Sequence, residues 1–511
     1  MIRNNYKNSE TQKGRLINWF KVNEIIMIII CTSLINIYPI FKSGLILYLP
    51  YYNDNIETTN SIFKISEKEI LILLFISIAY LIIFSSYSPL TNLLTHKDIH
   101  KKVCVDQNSE YNFYLSFEYF FVLFSSLLGL FLIVIFNDYT YLFIAIEVYS
   151  LSFYLLILVS NFSSSSNYTT KINSFYSILY FIFNSIASFL LLFSFILFYF
   201  LYGITSLDSF SKLISSSSSL PFLAIIIFLS LFFKLGLAPF HFWVIRIYKI
   251  MNNNLLIYFL FVPKVVYLFI FFKFLLPSSL LVNNMNLFNL FLFIAILSSI
   301  IGSIGGLYHN NFNLLITYSS IFNLGFLLFG FLSYFQIITF GTLHTFEYLF
   351  IYFFHLISIF FAYFLFNKSS SDNSNILSNL FLSLSSSPFF ALSFLFTIFS
   401  FIGLPPFSGF FAKLNIFLSL FNLNNNMSIL FILFLFLVTL FSASLYLKFI
   451  YSIFFANTQS HPIHDNSNLN NELLISSTPQ KLTYSLSFFT LSLILYPFIS
   501  LYFFPYFFFI F

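Results

Sequence analysis

The chain has 511 residues, of which 59% are hydrophobic, 23% aromatic and only 8% charged, with a formal net charge of +5. Soluble globular domains carry about a quarter charged residues, so this composition cannot cover a water-facing surface and specifies an integral membrane protein. The small net charge, with no basic patch interleaved with aromatics, gives no footing for nucleic acid.

Residues 1–23, which begin MIRNNYKNSETQKGRLINWFK, form a polar, basic segment with no apolar stretch of the kind a secretory leader needs. Apolar runs then follow at 24–49, 68–88, 114–136, 140–160, 172–202, 221–251, 255–276, 287–307, 312–334, 342–366, 386–421, 428–455 and 483–510. Each is long enough for a helix across roughly 30 Å of hydrocarbon, whereas membrane barrels are written in short alternating segments. The expected fold is therefore an all-α polytopic membrane protein of about 13 transmembrane helices. Its expected organisation is the basic segment 1–23, N-terminal helices over 24–113, a core over 114–455, a polar loop over 456–482 and a C-terminal helix within 483–511. The loop is too short for a core of its own, and its HPIHD stretch, His461–Asp465, reads as solvated because no third ligand is near. Cys31 and Cys104 support neither a disulfide framework nor a metal site. The 82 Phe read as compositional bias rather than aromatic chemistry, since Leu fills membrane helices as well. Lys and Arg gather before the first span, in the loop with Lys97, Lys101 and Lys102, and at Arg246 and Lys249, which puts the N-terminus on the positive, inner face.

The informative residues are those that hydrocarbon rejects. Glu147, Lys234, Lys264 and Lys413 fall inside spans, and each costs about 2.5–3.5 kcal/mol at a helix centre. The alternatives are a protonated carboxyl for Glu147 and a snorkelling amine for Lys264, although about ten apolar residues on either side make snorkelling hard. Lys234 and Lys413 belong to spans interrupted by Gly and Pro, KLGLAPFHFW and GLPPFSGFFAK. Freed backbone survives at membrane depth only beside protein or water, and interrupted spans in both halves of a chain mark an ion pathway. His241 lies in the first interruption. A second polar line, His344, Glu347 and His355, shares a helical face, with Tyr318 and Asn323 of the preceding span as candidates to meet it. These groups can relay protons through water or serve as satisfied core residues. Desolvation disfavours a buried ammonium and a nearby carboxylate restores it, so a lysine whose partner comes and goes can load and release a proton. Phosphate loops, dinucleotide fingerprints and Ser–His–Asp orders are missing from the sequence.

FFKLGLAPFHFWV, with NDYTYLFIAIEVYSLSFYLL, VPKVVYL, IGSIGGLYHNNFNLLITYSSIFNLGFLLFG and FSFIGLPPFSGFFAKLNIF in the same order, resembles the chain 2 family of antiporter-like subunits of proton-pumping NADH:ubiquinone oxidoreductase, respiratory complex I. The resemblance covers about residues 115–450, and the PFHFW form favours chain 2 over its sister chains 4 and 5. It implies two broken helices within antiporter-like inverted repeats. It also implies proton translocation through Glu147, Lys234, Lys264 and Lys413, with His241, Tyr318, His344, Glu347 and His355 as further relay candidates. No cofactor is expected in the chain itself; NADH, FMN, iron–sulfur clusters and ubiquinone are expected in partner subunits. The implied partners are other membrane-arm subunits, including a chain 4-like one and small membrane chains, together with lipids. The implied location is the mitochondrial inner membrane. Ile245 and Arg246 stand where the family has proline and an acidic residue, Asn323 where it has a histidine, and Leu179 where it has a lysine, with Lys171 two turns earlier. A free-standing monovalent cation/proton antiporter and a purely structural membrane subunit are the competing readings.

Overall fold

The computed structural model of the chain describes residues 72–73, 76, 108–159, 167–203, 205–207, 220–251, 253–275, 285–309, 311–334, 344–353, 355–356, 358, 388–405, 407–421 and 426–454. The predicted spans at 24–49 and 483–510, most of 68–88, the polar loop 456–482, both cysteines and the basic N-terminal segment lie outside the described residues, as does the side chain of Lys171.

The described chain is helical. In order come α1 (Asn108–Ile135), α2 (Tyr139–Val159), α3 (Asn167–Tyr202), α4 (Leu220–Leu235), α5 (Phe242–Tyr248), α6 (Asn253–Leu275), α7 (Met285–Leu307), α8 (Phe312–Tyr334), a helical run at 344–353 continued by His355, Leu356 and Ser358, then α9 (Pro388–Ile402), α10 (Ser408–Phe421) and α11 (Asn426–Phe454). Stretches of six of these are long and apolar enough to cross a membrane: 139–158, 174–202, 255–274, 286–307, 312–332 and 429–448. Hydrocarbon offers no partner to a peptide group, so the backbone bonds must close within each helix. The many buried serines obey the same rule. Ser126, Ser230, Ser319 and Ser320 each return their hydroxyl to the carbonyl three residues back, which is how a serine-rich sequence stays helical in apolar surroundings.

Burial sorts helices that look alike in sequence. The apolar stretches of α6 and α8 are wholly enclosed. Helix α3 turns Phe175, Phe189 and Phe200 outward, and α11 turns out Leu433, Phe436 and Leu440. The enclosed pair therefore forms the centre and the other two the rim.

Two helical hairpins repeat one another. A Cβ on Gly129 of α1 would lie 2.8 Å from the Tyr149 backbone nitrogen of α2, and one on Gly302 of α7 would lie 2.4 Å from the Phe322 nitrogen of α8. The two glycine–aromatic pairs have the same sequence spacing. The ring pairs that follow match too, with Tyr149–Phe153 at 6.2 Å and Phe322–Phe326 at 6.1 Å.

The helix ends within 221–251 and 386–421 are also alike. Helix α4 stops at Leu235 because Gly236 takes φ +72, with Leu237 N bonded to Phe232 O at 3.1 Å and Gly236 N to Phe233 O at 3.0 Å. Helix α9 stops at Ile402 because Gly403 takes φ +86, with Leu404 N to Phe399 O at 3.2 Å and Gly403 N to Ser400 O at 3.1 Å. Both are Schellman closures, which need a left-handed residue and hence glycine. The chain resumes helical structure at Phe242 and at Ser408.

Candidate functional site

Lys234 sits in the last turn of α4, immediately before the Gly236 closure. Its Nζ donates to Asn184 Oδ1 of α3 at 3.2 Å. Lys264 follows Pro263 inside α6, is 3% exposed, and donates from Nζ to Ser320 Oγ of α8 at 2.9 Å. Ser320 accepts this bond while giving its own proton to Thr317 O at 2.6 Å. Both amines line one cavity of about 20 Å³, together with Asn184 and the rings of Tyr149, Tyr180, Tyr248 and Tyr267. That volume holds about one water, and the lining supplies the polar partners a buried water needs.

Glu147 of α2 stands beside this cavity. Its Oε2 accepts from Ser150 Oγ at 3.1 Å, and its Oε1 is buried without a hydrogen-bond partner. The carboxylate acts electrostatically on Lys234, Tyr180 and Tyr267. Lys234 nonetheless bonds the neutral Asn184 amide rather than the carboxylate.

Lys413 of α10 reaches back across the second interruption. Its Nζ donates to Phe401 O at 2.8 Å and to Ile402 O at 2.9 Å, the carbonyls that α9 leaves open at its end. A cation there also complements the negative end of the helix dipole. The Phe322 ring lies 6.0 Å below the ammonium. At the first interruption Trp243 Nε1 donates to Phe233 O at 3.2 Å, a carbonyl that also accepts from Gly236 N. All three lysines are thus held by neutral oxygens.

The second polar line divides. His344 Nδ1 lies 3.7 Å from Glu347 Oε2, which also accepts from Asn415 Nδ2 of α10 at 2.8 Å. His355 Nε2 lies 2.6 Å from Ser400 Oγ and 3.5 Å from Ser408 Oγ, one on each side of the break after α9. The Ser400 hydroxyl proton goes to Thr397 O at 2.7 Å, so the imidazole Nε2–H is the donor to Ser400. Asn323 does meet this face, accepting from Tyr348 OH at 2.7 Å and donating to Tyr446 OH at 3.5 Å. Tyr318 turns elsewhere, its ring stacked on His309 at 5.4 Å. His241 precedes α5 with Nδ1 buried and unpartnered, away from the cavity lining.

Sequence reasoning missed Asn184, Ser320, Asn415, Tyr348 and Tyr446. Asn184 is a lone amide in an apolar stretch, FIFNSIAS, but asparagine is too common in this chain to stand out. It also missed two lysines that serve as helix ends. Lys273 donates to Val134 O at 2.7 Å near the end of α1, and Lys448 donates to Leu307 O and to His309 O at the end of α7. The two capped helices are the first members of the two repeated hairpins.

A helical membrane protein with long apolar spans and lysines buried among them has here the antiporter-like fold. The chain belongs to the NADH:quinone oxidoreductase/Mrp antiporter transmembrane family, whose model matches residues 137–442. It is 29% identical over 366 residues to NADH-quinone oxidoreductase subunit N 2 of Thermodesulfovibrio yellowstonii, covering 70% of this chain and 76% of that one. It is 28% identical over 354 residues to NADH-ubiquinone oxidoreductase chain 2 of Rhizopus oryzae, covering 66% and 64%. Its fold is that of a chain in respiratory complex I from Thermus thermophilus, with a TM-score of 0.64, 17% identity, and 95% and 93% of the two chains covered.

Proposed function

We propose that the chain is a membrane-arm, antiporter-like subunit of a proton-pumping NADH:quinone oxidoreductase, the counterpart of bacterial subunit N and mitochondrial chain 2. It translocates protons along Glu147, Lys234, Lys264 and Lys413. The observation that carries this reading is the water-sized cavity shared by Lys234 and Lys264 between enclosed helices. Hydrocarbon would expel unpaired amines there; a proton pathway requires them. The discontinuities after α4 and α9 are read as the two broken helices of about 13 spans, and the repeated hairpins as halves of an inverted repeat.

Lys234 has two competing neighbours, the Asn184 amide it bonds and the Glu147 carboxylate that acts on it from beyond contact. Strengthening the carboxylate's influence stabilises the ammonium; weakening it releases a proton toward the cavity and Lys264. Lys264 then exchanges with the Ser320 side, and Lys413, poised on the α9 carbonyls, receives charge at the far end. His344, Glu347 and His355 serve the Lys413 end, while His241 and Tyr318 are the relay candidates with the least geometric support. NADH oxidation by FMN and iron–sulfur clusters and ubiquinone reduction are assigned to partner subunits, and the coupling to them is electrostatic. The partners are other membrane-arm subunits, among them a chain 4-like one and small membrane chains, with lipids around the rim. The composition and the Rhizopus relative favour the mitochondrial inner membrane.

The test is Lys264→Met in the assembled enzyme. The expected result is a complex of normal size on native electrophoresis with strongly reduced protons pumped per electron. An intact complex with unchanged stoichiometry would refute the role. The family's other namesake, the Mrp antiporter, keeps a second reading in view: sodium-dependent proton exchange by the purified chain alone would favour it. Near-normal pumping by a Lys234, Lys264 and Lys413 triple variant would favour a structural subunit.

A further inference from the structure

Between the Lys264–Ser320 pair and the Lys413–His355 end lies a buried hydroxyl that the pathway above does not use. Tyr352 is 2% exposed, and among the described residues its hydroxyl makes no well-formed hydrogen bond. It stands on the helical run 344–353 in register with Tyr348 and His355, at i−4 and i+3, so the three share a face. Opposite them on α8 stand Ser320 and Asn323, themselves three apart and therefore also on one face. The Tyr352 hydroxyl lies at the margin of hydrogen bonding to both Ser320 and Asn323, with a well-formed bond to neither, and it is within electrostatic range of Tyr348 and Tyr446.

A hydroxyl without a well-formed hydrogen bond deep in an apolar core is costly, because the bonds water made are not fully replaced. This chain contains 82 Phe, and phenylalanine at 352 would fill the same space, against the same Phe401 ring at 6.3 Å and Phe353 ring at 5.3 Å, without that cost. Packing therefore does not account for the oxygen. Tyr348 offers the contrast: its hydroxyl is fully engaged with Asn323 at 2.7 Å.

We infer that the Tyr352 hydroxyl is the link that passes protons between Ser320, beside Lys264, and the tyrosine hydroxyls that Asn323 holds on the Lys413 side. In a transfer toward Lys413, the Tyr352 oxygen accepts a proton from the Ser320 side as its own proton leaves toward Tyr446, whose hydroxyl accepts from Asn323 and so has its own proton free to pass on to a neutral Lys413 amine. The Tyr352 O–H bond breaks as another forms, so the phenol ends neutral and unchanged. The Ser320 hydroxyl, bonded to Thr317 O in this structure, swings to Tyr352 to make the transfer, and Lys264 Nζ reprotonates it. Asn323 is an anchor: its amide accepts from Tyr348 and donates to Tyr446, and amide N–H protons are too weakly acidic to be released along the chain.

This inference rests on the proposed function, and the experiment separates the two. Tyr352→Phe is compared with Lys264→Met and with the unaltered enzyme, all as assembled complexes in sealed vesicles. Tyr352→Phe is expected to assemble to the normal level with at least threefold slower proton pumping. The solvent deuterium isotope effect on pumping should also change, which a packing role would not alter. Normal pumping by Tyr352→Phe, or failure of that variant to assemble, overturns the inference, the second because it would show the hydroxyl to be structural. If Lys264→Met also pumps normally, the proposed function falls as well; if only Tyr352→Phe does, the proton passes Tyr352 by another route.

Discussion

Replacing Lys413 by methionine should damage the fold as well as the pathway, whereas the same change at Lys264 should not. Lys413 Nζ makes two hydrogen bonds to carbonyls at the open end of α9, and a bond from a charged donor is worth about 1.5–3 kcal/mol net. Methionine matches the stem but donates nothing, leaving the Phe401 and Ile402 carbonyls unserved in a largely buried place. Adding the lost helix-end charge, about 0.3–1 kcal/mol, the expected cost is about 3–7 kcal/mol for the two bonds and the charge together. Lys264 makes one bond to a serine that keeps its own bond to Thr317, so methionine there removes a buried amine and leaves the packing whole, at a cost of about 0–1 kcal/mol. The assay is heat-induced release of the subunit from the purified assembly, followed by native electrophoresis, beside proton pumping in vesicles. Both variants should pump poorly, but only Lys413→Met should dissociate at markedly lower temperature. Equal midpoints for the two, or a more stable Lys413→Met enzyme, would refute the capping argument.

Gly302→Ala should destabilise the chain by about 1–3 kcal/mol, the usual cost of overpacking, because its Cβ would sit 2.4 Å from the Phe322 backbone nitrogen. Gly203→Ala, at φ +69 with nothing within 4 Å, should cost only the left-handed backbone, about 1–2 kcal/mol; both are read by the same dissociation midpoints. At the turn before α2, burial raises the Asp138 carboxyl above its ordinary value of 3.8, and its Oδ1 has no hydrogen-bond partner. The folded chain therefore binds this proton more tightly than the unfolded one does. The resulting stabilisation is complete below 3.8 and is lost as pH rises through the raised folded value. Asp138→Asn should consequently leave stability unchanged in acid and raise it at neutral pH, and a variant that is less stable at neutral pH would contradict this.

Membrane residence, helical class and the four costly residues could all be read in one dimension. Hydrocarbon demands long apolar runs and taxes every charge, so Glu147, Lys234, Lys264 and Lys413 stand out against 59% hydrophobic surroundings. The positions of the two helix ends were legible for a similar reason, since a Schellman closure needs Gly236 or Gly403 at one defined place. What each amine touches was not legible. Asn184, Ser320 and the carbonyls of Phe401 and Ile402 become partners only when α3, α8 and α9 pack beside them, and nothing in the spacing of distant residues encodes that meeting. Nothing in the spacing of the sequence marked Lys273 and Lys448 as caps on α1 and α7; only packing does. Nor could composition tell the enclosed α6 from the rim helix α11, since both are apolar all round. In lipid, the apolar pattern fixes which segments are helices; which of their faces meet is decided by shape and by the few polar groups that must find one another.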